Sequence, residues 1–372
     1  MSFCIYYIKK YSLFVFFTII MPSGESVFHA PESRISFRIK NDHVKDILIY
    51  WIISTKCFNT GGLYRMAIRP PILRAGDTVG IVTLGSPRDA ETINARIQFL
   101  ENMGFGVVVG KYVYSEMGFL AATPQQRASD LMSMFENPEV RAIIPVRGGT
   151  GVADILQYLD YPAINQNPKI ITGYSDITVL LNVLYIWANL ITFHSLLLLD
   201  FRPTTPAYNF DQFFTATSTV ISPRQLENPP GMPLISRVPG NVTGPIVGGN
   251  LTSFADTLGT PFEVDTRGKI LFIEETHEAV SRVYRLITHL MNAGKFRDCA
   301  GIIMGECSNC ALSYGRSYED LINEIMVPLG KPLMTNLASG HGYYKMAIPI
   351  GADANLDTYN NTLTILEPTV SL

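Results

Sequence analysis

From Gly76 onward the chain repeats one pattern: a short apolar strand, a glycine-rich turn, then a helix with apolar residues on one side. Strands alternating with helices pack as a parallel, doubly wound sheet, and this constrains the fold more than any other feature. Thr78 to Thr83 reads as a first strand, ending in Leu84-Gly85-Ser86-Pro87. Ile93, Ile97 and Leu100 follow at helical spacing, with Gly104 as a stop. Val107 to Val109 is a short second strand. Thr123-Pro124-Gln125-Gln126 combines a threonine N-cap, a proline at the first helical position and a glutamine placed for a capping box. Ala142 to Val146 is a third strand, running into Arg147-Gly148-Gly149-Thr150-Gly151. Lys169 to Thr172 is a fourth, running into Gly173-Tyr174-Ser175-Asp176. Ligands bind such sheets at the carboxyl ends of strands, where both glycine-rich turns lie.

With 372 residues, 47% hydrophobic and 16% charged, the chain has the material for two domains and a large core, which excludes a disordered protein. A net charge of −3 offers nothing to a polyanion, so nucleic acid is not an expected partner. Five cysteines are too few and odd in number for a disulfide scaffold, and fit a reducing compartment. Residues 1–65 hold 13 of the 40 aromatics and stand apart. Lys9 and Lys10 precede an apolar run, Tyr11 to Met21, too short to span a bilayer. Residues 1–24 therefore read as an export signal, or the whole of 1–65 as an extension upstream of the working start. Met66-Ala67-Ile68-Arg69-Pro70-Pro71 opens a domain cleanly and favours the extension.

The expected layout is a first domain over 66–200, a linker over 201–240 and a second domain over 241–372. The linker segment is rich in proline, threonine and serine and shows little periodicity. Val179 to Leu199 has the length of a membrane span, but it contains Asn182, Asn189 and His194. A buried helix followed by a buried strand is the expectation, with no stable membrane association.

Gly173-Tyr174-Ser175-Asp176 is a strand, a sharp turn and a helix start. That geometry can lift a serine hydroxyl above the sheet edge while backbone N–H groups aim at the same point. An ordinary helix N-cap is the alternative on these residues alone. The Arg147 to Gly151 turn lacks the P-loop Lys-Ser/Thr and the G-x-G-x-x-G spacing, so it reads better as a loop beside an oxyanion, or a tight turn, than as a phosphate cradle. A serine nucleophile needs a base. His29 and His43 fall in the extension, and His277 and His289 lie at or in an amphipathic helix. His341, between Gly340 and Gly342, is presented without crowding, and His194 is its rival. Glu274 directly follows the strand Lys269 to Ile273, with Glu275 and Glu278 close by as members of an acidic cluster. Cys307-Ser308-Asn309-Cys310 is a lone pair that cannot close a structural zinc site, and no metal cluster is expected.

Seven motifs in order then resemble the LD-carboxypeptidases, a serine peptidase family that includes muramoyltetrapeptide carboxypeptidase and the microcin C immunity peptidase. They are Gly76 to Val82, Arg147-Gly148-Gly149, Gly173 to Thr178, Gly248-Gly249-Asn250-Leu251, Leu258-Gly259-Thr260-Pro261, Ile270 to Glu274, and Gly340-His341-Gly342 with Ile348-Pro349-Ile350-Gly351. The resemblance runs from about Arg74 to Pro368. It implies an N-terminal Rossmann-like domain, a C-terminal α/β domain with a β-rich core, and a site between them. It also implies a catalytic triad of Ser175, Glu274 and His341, and an oxyanion hole from the N–H groups of Asp176 and Gly149. Arg147, Gly148 and Asn250 are the expected substrate-binding residues; for Arg147, holding the loop by backbone hydrogen bonds is an equal alternative. Two positions depart from the family pattern: Thr150 stands where a tyrosine is usual, and His194-Ser195-Leu196 where His-Gly-Pro is usual.

These features predict a cytoplasmic homodimer without metal or organic cofactor that hydrolyses an L,D-peptide bond of a muropeptide and releases D-alanine in wall recycling. Export replaces the cytoplasmic location if residues 1–24 are a signal. A peptidase that cleaves an aminoacyl-nucleotide antibiotic is the alternative, although it wants an aromatic ring for the base and Trp187 sits in an expected buried helix. A nucleotide- or sugar-binding Rossmann module without catalysis is a third reading.

Overall fold

The computed structural model describes residues 66–372 and the backbone of two short strands, β1 (Phe28–Ala30) and β2 (Ser33–Phe37), which pair antiparallel. Beyond those strands, the expectations for residues 1–65 lie outside the described residues.

The first sheet is built from β3 (Thr78–Val82), β4 (Gly106–Val109), β5 (Val140–Pro145), β6 (Ile170–Gly173) and β7 (Thr192–His194), all parallel, in the order β4-β3-β5-β6-β7. This is a doubly wound, Rossmann-like sheet with its switch point between β3 and β5. Its crossovers carry α1 (Ala90–Asn102), α2 (Pro124–Glu136), the short α3 (Tyr161–Gln166) and α4 (Ile177–Ala188). The capping box read from Thr123 and Gln126 forms, and it starts α2 at Pro124. The long apolar run resolves into α4 and β7, buried by the sheet's helical layer. No described helix is long and apolar enough to cross a membrane.

The stretch expected as a linker is ordered. It contributes α5 (Ala207–Ser218), β8 (Arg224–Gln225) and β9 (Ile235–Val238). The prolines mislead because they bracket α5 rather than enter it: Pro203 and Pro206 precede the helix and Pro223 follows it. Tertiary packing of rings then supplies what local periodicity lacks, with Phe210 against Phe99 and Phe201, and Phe214 against Phe105.

The second sheet is β-rich and mixed. Four parallel strands, β10 (Asn241–Asn250), β11 (Ile270–Thr276), β12 (Gly301–Ser308) and β13 (Leu333–Leu337), form its centre, and β9 pairs antiparallel on β13. β14 (Ile348–Ile350) crosses to the first sheet and adds an antiparallel edge to β7. β15 (Asp353–Asp357) and β16 (Thr362–Ile365) complete the second sheet beside β10, with β8 at its edge. Helices α6 (Leu251–Ala255), α7 (Val280–Asn292), α8 (Lys295–Asp298) and α9 (Tyr318–Leu321) cover one face. Val283, Leu286, Ile287 and Leu290 of α7, at helical spacing, pack with Leu271, Ile273, Ile302 and Met304 of the sheet.

The two sheets are joined where α4 meets β10. Asn182 donates from Nδ2 to the Gly248 carbonyl and accepts from the Gly248 N–H, each at 2.8 Å. One turn earlier, Thr178 Oγ1 accepts from Asn250 N at 3.0 Å. The approach needs glycine, since a Cβ on Gly249 would lie 2.7 Å from Thr178 Oγ1 and 2.9 Å from His194 Cδ2. Asn182→Ala leaves a buried N–H and a buried carbonyl without partners, which costs about 2–4 kcal/mol. The expected outcome is an unfolding free energy lowered by that amount, read as a lower urea midpoint with an unchanged slope; a loss within experimental error contradicts this role for the contact.

Candidate active site

β6 ends at Gly173, α4 begins at Ile177, and Tyr174, Ser175 and Asp176 make the turn between them. Ser175 has φ of +63°, a left-handed conformation that costs a side-chain-bearing residue about 1–2 kcal/mol. Closure of the turn holds it, through Ile177 N to the Tyr174 carbonyl at 3.3 Å and Thr178 N to the Ser175 carbonyl at 2.9 Å. The hydroxyl is half-buried. Gly148 packs directly on this elbow: a Cβ there would lie 2.8 Å from Asp176 N and 3.0 Å from Ser175 Oγ. The backbone N–H groups of Asp176 and Gly149 donate to no acceptor among the described residues. Two uncommitted donors beside one hydroxyl are what an oxyanion hole requires.

The Arg147 to Gly151 loop is held from three sides. Ser86 N donates to the Gly148 carbonyl at 3.2 Å, and Thr150 N donates to Ser86 Oγ at 3.1 Å. Asp176 Oδ2 accepts from Val152 N at 2.8 Å. Arg127, wholly buried on α2, donates to the carbonyls of Leu84, Ala122 and Gly151 and forks onto Asp154 at 2.8 and 2.9 Å. Sequence reasoning missed Arg127, because an arginine in an amphipathic helix reads as solvated and nothing local reveals three waiting carbonyls.

On the other sheet, Glu274 is fully buried near the end of β11. Its Oε2 accepts from His341 Nδ1 at 2.9 Å and from His341 N at 3.2 Å. Burial pushes the carboxyl pKa up, but these bonds outweigh it and hold Glu274 below the usual range, ionised. The glycines flanking His341 have specific causes. A Cβ on Gly340 would overlap the Glu274 carboxylate, and one on Gly342 the carboxylate of Glu306. The imidazole keeps 17% of its side-chain surface exposed. Tyr174 links the two halves of the site, its ring meeting the His341 ring edge-on at 5.0 Å. Lys345 caps this arrangement, with Nζ 4.9 Å above the Tyr174 ring, 2.7 Å from the Gly342 carbonyl and 4.0 Å from Asp200 Oδ1. No hydrogen bond joins Ser175 Oγ to His341 in this unliganded arrangement; such contacts often tighten only with substrate bound.

The rival base is settled by burial. His194 has no exposed surface, and burial drives its pKa down to about 4, so it stays neutral and out of reach of a substrate. His277 and His289 are exposed. Arg147 is half-buried, and its guanidinium makes no hydrogen bond or ion pair among the described residues, so it does not hold the loop. Asn250 has a different place from the one expected. It is buried, its Nδ2 donates to Glu275 Oε1 at 2.8 Å and its Oδ1 accepts from Ser253 N, so both ends of its amide are engaged within the protein and it caps α6. Glu275, expected in a solvated cluster, is buried and accepts from Asn250, Thr252 and Thr276. Cys307 and Cys310, whose state the sequence left open, form a disulfide at the end of β12; Cys299 is free and buried. Among the described residues, no group of His, Cys, Asp or Glu is arranged to hold a metal ion.

Comparison with known proteins gives the same picture. The LD-carboxypeptidase N-terminal domain matches residues 79–195 and the C-terminal domain matches residues 243–356. A probable murein peptide carboxypeptidase of Bacillus subtilis is 36% identical over 313 residues, covering 82% of this chain and 96% of that protein. Among solved structures, the microcin C7 self-immunity protein MccF superposes with a TM-score of 0.77 at 25% identity, covering 82% of this chain and all of that one. Muramoyltetrapeptide carboxypeptidase from Oxalobacter formigenes gives 0.69 at 25% identity, covering 79% and all of its chain. With both of its domains matched in order on the two sheets that carry Ser175 and His341, this chain belongs to the LD-carboxypeptidase family.

Proposed function

We propose that the protein is a serine-type L,D-carboxypeptidase that removes the terminal D-alanine of murein tetrapeptides during wall recycling in the cytoplasm, working as a homodimer. The observation that carries this is the buried Glu274 carboxylate fixed on His341 beside the strained Ser175 elbow. Glu274 sets the imidazole tautomer with the proton on Nδ1, which leaves Nε2 as the base. His341 takes the Ser175 proton as Oγ attacks the peptide carbonyl. The oxygen that becomes negative is received by the N–H groups of Asp176 and Gly149. The proton passes from His341 to the leaving amine, D-alanine departs, and a water deprotonated by His341 hydrolyses the ester. The free guanidinium of Arg147 suits the substrate's terminal carboxylate, which it can bind through two parallel hydrogen bonds. The names of the relatives in sequence and in structure support the murein peptide as substrate.

The likeness to MccF favours a second reading, cleavage of an aminoacyl-nucleotide antibiotic. Against it, Trp187 is committed to packing, 5.2 Å from the Tyr161 ring and 5.4 Å from the Phe262 ring.

Release of D-alanine from a defined tetrapeptide tests the proposal. Ser175→Ala should lower kcat/KM by about a thousandfold or more with the fold unchanged by circular dichroism. Undiminished turnover in that variant removes the serine mechanism, and no turnover in the wild-type protein returns the binding-module reading. Arg147→Ala should raise KM about ten- to a hundredfold with little change in kcat. A substrate ending in a C-terminal amide should show the same penalty with the wild-type protein and no added penalty with the variant. If the variant still discriminates acid from amide, another group binds the carboxylate.

A further inference from the structure

His194 has no part in the reaction just described. It ends β7 with no surface exposed, between the Phe272 ring at 5.1 Å and the Gly249 backbone. Among the buried polar atoms without a hydrogen-bond partner in the described residues are His194 Nε2 and Glu274 Oε1, which lie 4.0 Å apart. Buried polar atoms are seldom left unpaired, and an orphaned carboxylate oxygen is among the most costly. Around Glu274 stand His341, Tyr174 from the elbow, Glu306 from β12 and Tyr318 from α9, and Lys345 faces His194 from the His341 loop; none of them hydrogen-bonds Oε1.

The other ring nitrogen decides where the proton of the neutral imidazole sits. Nδ1 lies 3.3 Å from Ser339 Oγ, and the same hydroxyl lies 3.3 Å from the Met346 carbonyl. That hydroxyl has one proton to give. With the imidazole proton on Nδ1, Ser339 donates to Met346 and Nε2 turns a lone pair toward a buried negative charge. With the proton on Nε2, Ser339 donates to Nδ1 and the N–H dipole points at the carboxylate. The full charge on Glu274 in a low-dielectric interior selects the second state.

We propose that His194 is a positioning residue for the triad: neutral and protonated on Nε2, it is the second imidazole donor to Glu274, reached by a shift of about 1 Å. Glu274 then holds His341 on Oε2 and is itself held on Oε1, so the carboxylate cannot swing away as charge develops on His341. The inference rests on the triad proposed above.

Two measurements on the full chain test it. In nitrogen-15 histidine spectra of the wild-type protein, the signal lost in His194→Gln should show a proton on Nε2, none on Nδ1, and no titration between pH 5 and 8. A proton on Nδ1, or titration in that range, overturns the proposal, and this reading stands even if the variants fold poorly. In kinetics, His194→Met should lower kcat and kcat/KM alike by about ten- to a hundredfold with KM unchanged. It should also move the acid limb of the kcat/KM profile up by about one pH unit, because a carboxylate that loses a donor attracts the imidazolium of His341 more strongly and makes that base easier to protonate. His194→Gln, which keeps an N–H near the same point, should recover most of the rate. Wild-type rate and acid limb in a folded His194→Met, or a His194→Gln no better than His194→Met, overturn the proposal. If Ser175→Ala keeps its activity, the triad itself is wrong, and the spectra still report the tautomer separately.

Discussion

The site depends on one contact, the grip of α4 on β10. Ser175 stands at the start of α4, while Glu274 lies on β11, paired in register with Asn250 of β10. The hydroxyl and the carboxylate therefore belong to different sheets, and their separation is set by how closely the helix approaches the strand. Thr178 and Asn182, four residues apart on one face of α4, bind the backbone at Asn250 and Gly248. These bonds run to backbone and are wholly buried, so no long flexible side chain sits between the two halves of the site. A doubly wound sheet alone would place the serine; this contact places the serine relative to its base.

Electrostatics are organised around the same line. Glu274 is a charge buried without a cation of its own, a state that survives only when hydrogen bonds replace water. His341 supplies two of these, from its backbone and its ring. The surroundings lean the other way: burial raises Glu306 despite its bond from Ser308, and raises Asp200 despite the nearby Lys345 ammonium. Lys345 lies between these acids and the Tyr174 ring, and its grip on the Gly342 carbonyl fixes the loop that carries His341. Asn209 of α5 anchors the same loop through Lys345 N and the Tyr343 carbonyl. The segment that looked like a linker thus steadies the loop that carries His341.

What could be read from the sequence was local in cause. The elbow at Ser175 is visible because strand, turn and helix are consecutive, and His341 because its flanking glycines make room for two carboxylates. The capping box of α2 is visible for the same reason. What escaped depends on partners distant in the chain. Arg127 finds its carbonyls on three separate loops, Asn250 is spent on a carboxylate from the next strand, and α5 is stabilised by rings from α1 and its flanks. His194 reads as a rival base because it stands at the end of an apolar run; only its depth of burial takes it out of reach of a substrate.

The two departures from the family pattern act at different depths. Thr150 is exposed, and its backbone N–H is tied to Ser86 Oγ, a bond that does not depend on the side chain at this position. Ser195 and Leu196 are both buried beneath the elbow. Ser195 N donates to the Gly173 carbonyl and the Leu196 carbonyl accepts from Thr172, bonds that brace the end of β6 from behind. The bonds at 195 and 196 hold the turn that presents Ser175 from within the fold, whereas the exposed side chain at 150 takes no part in holding it.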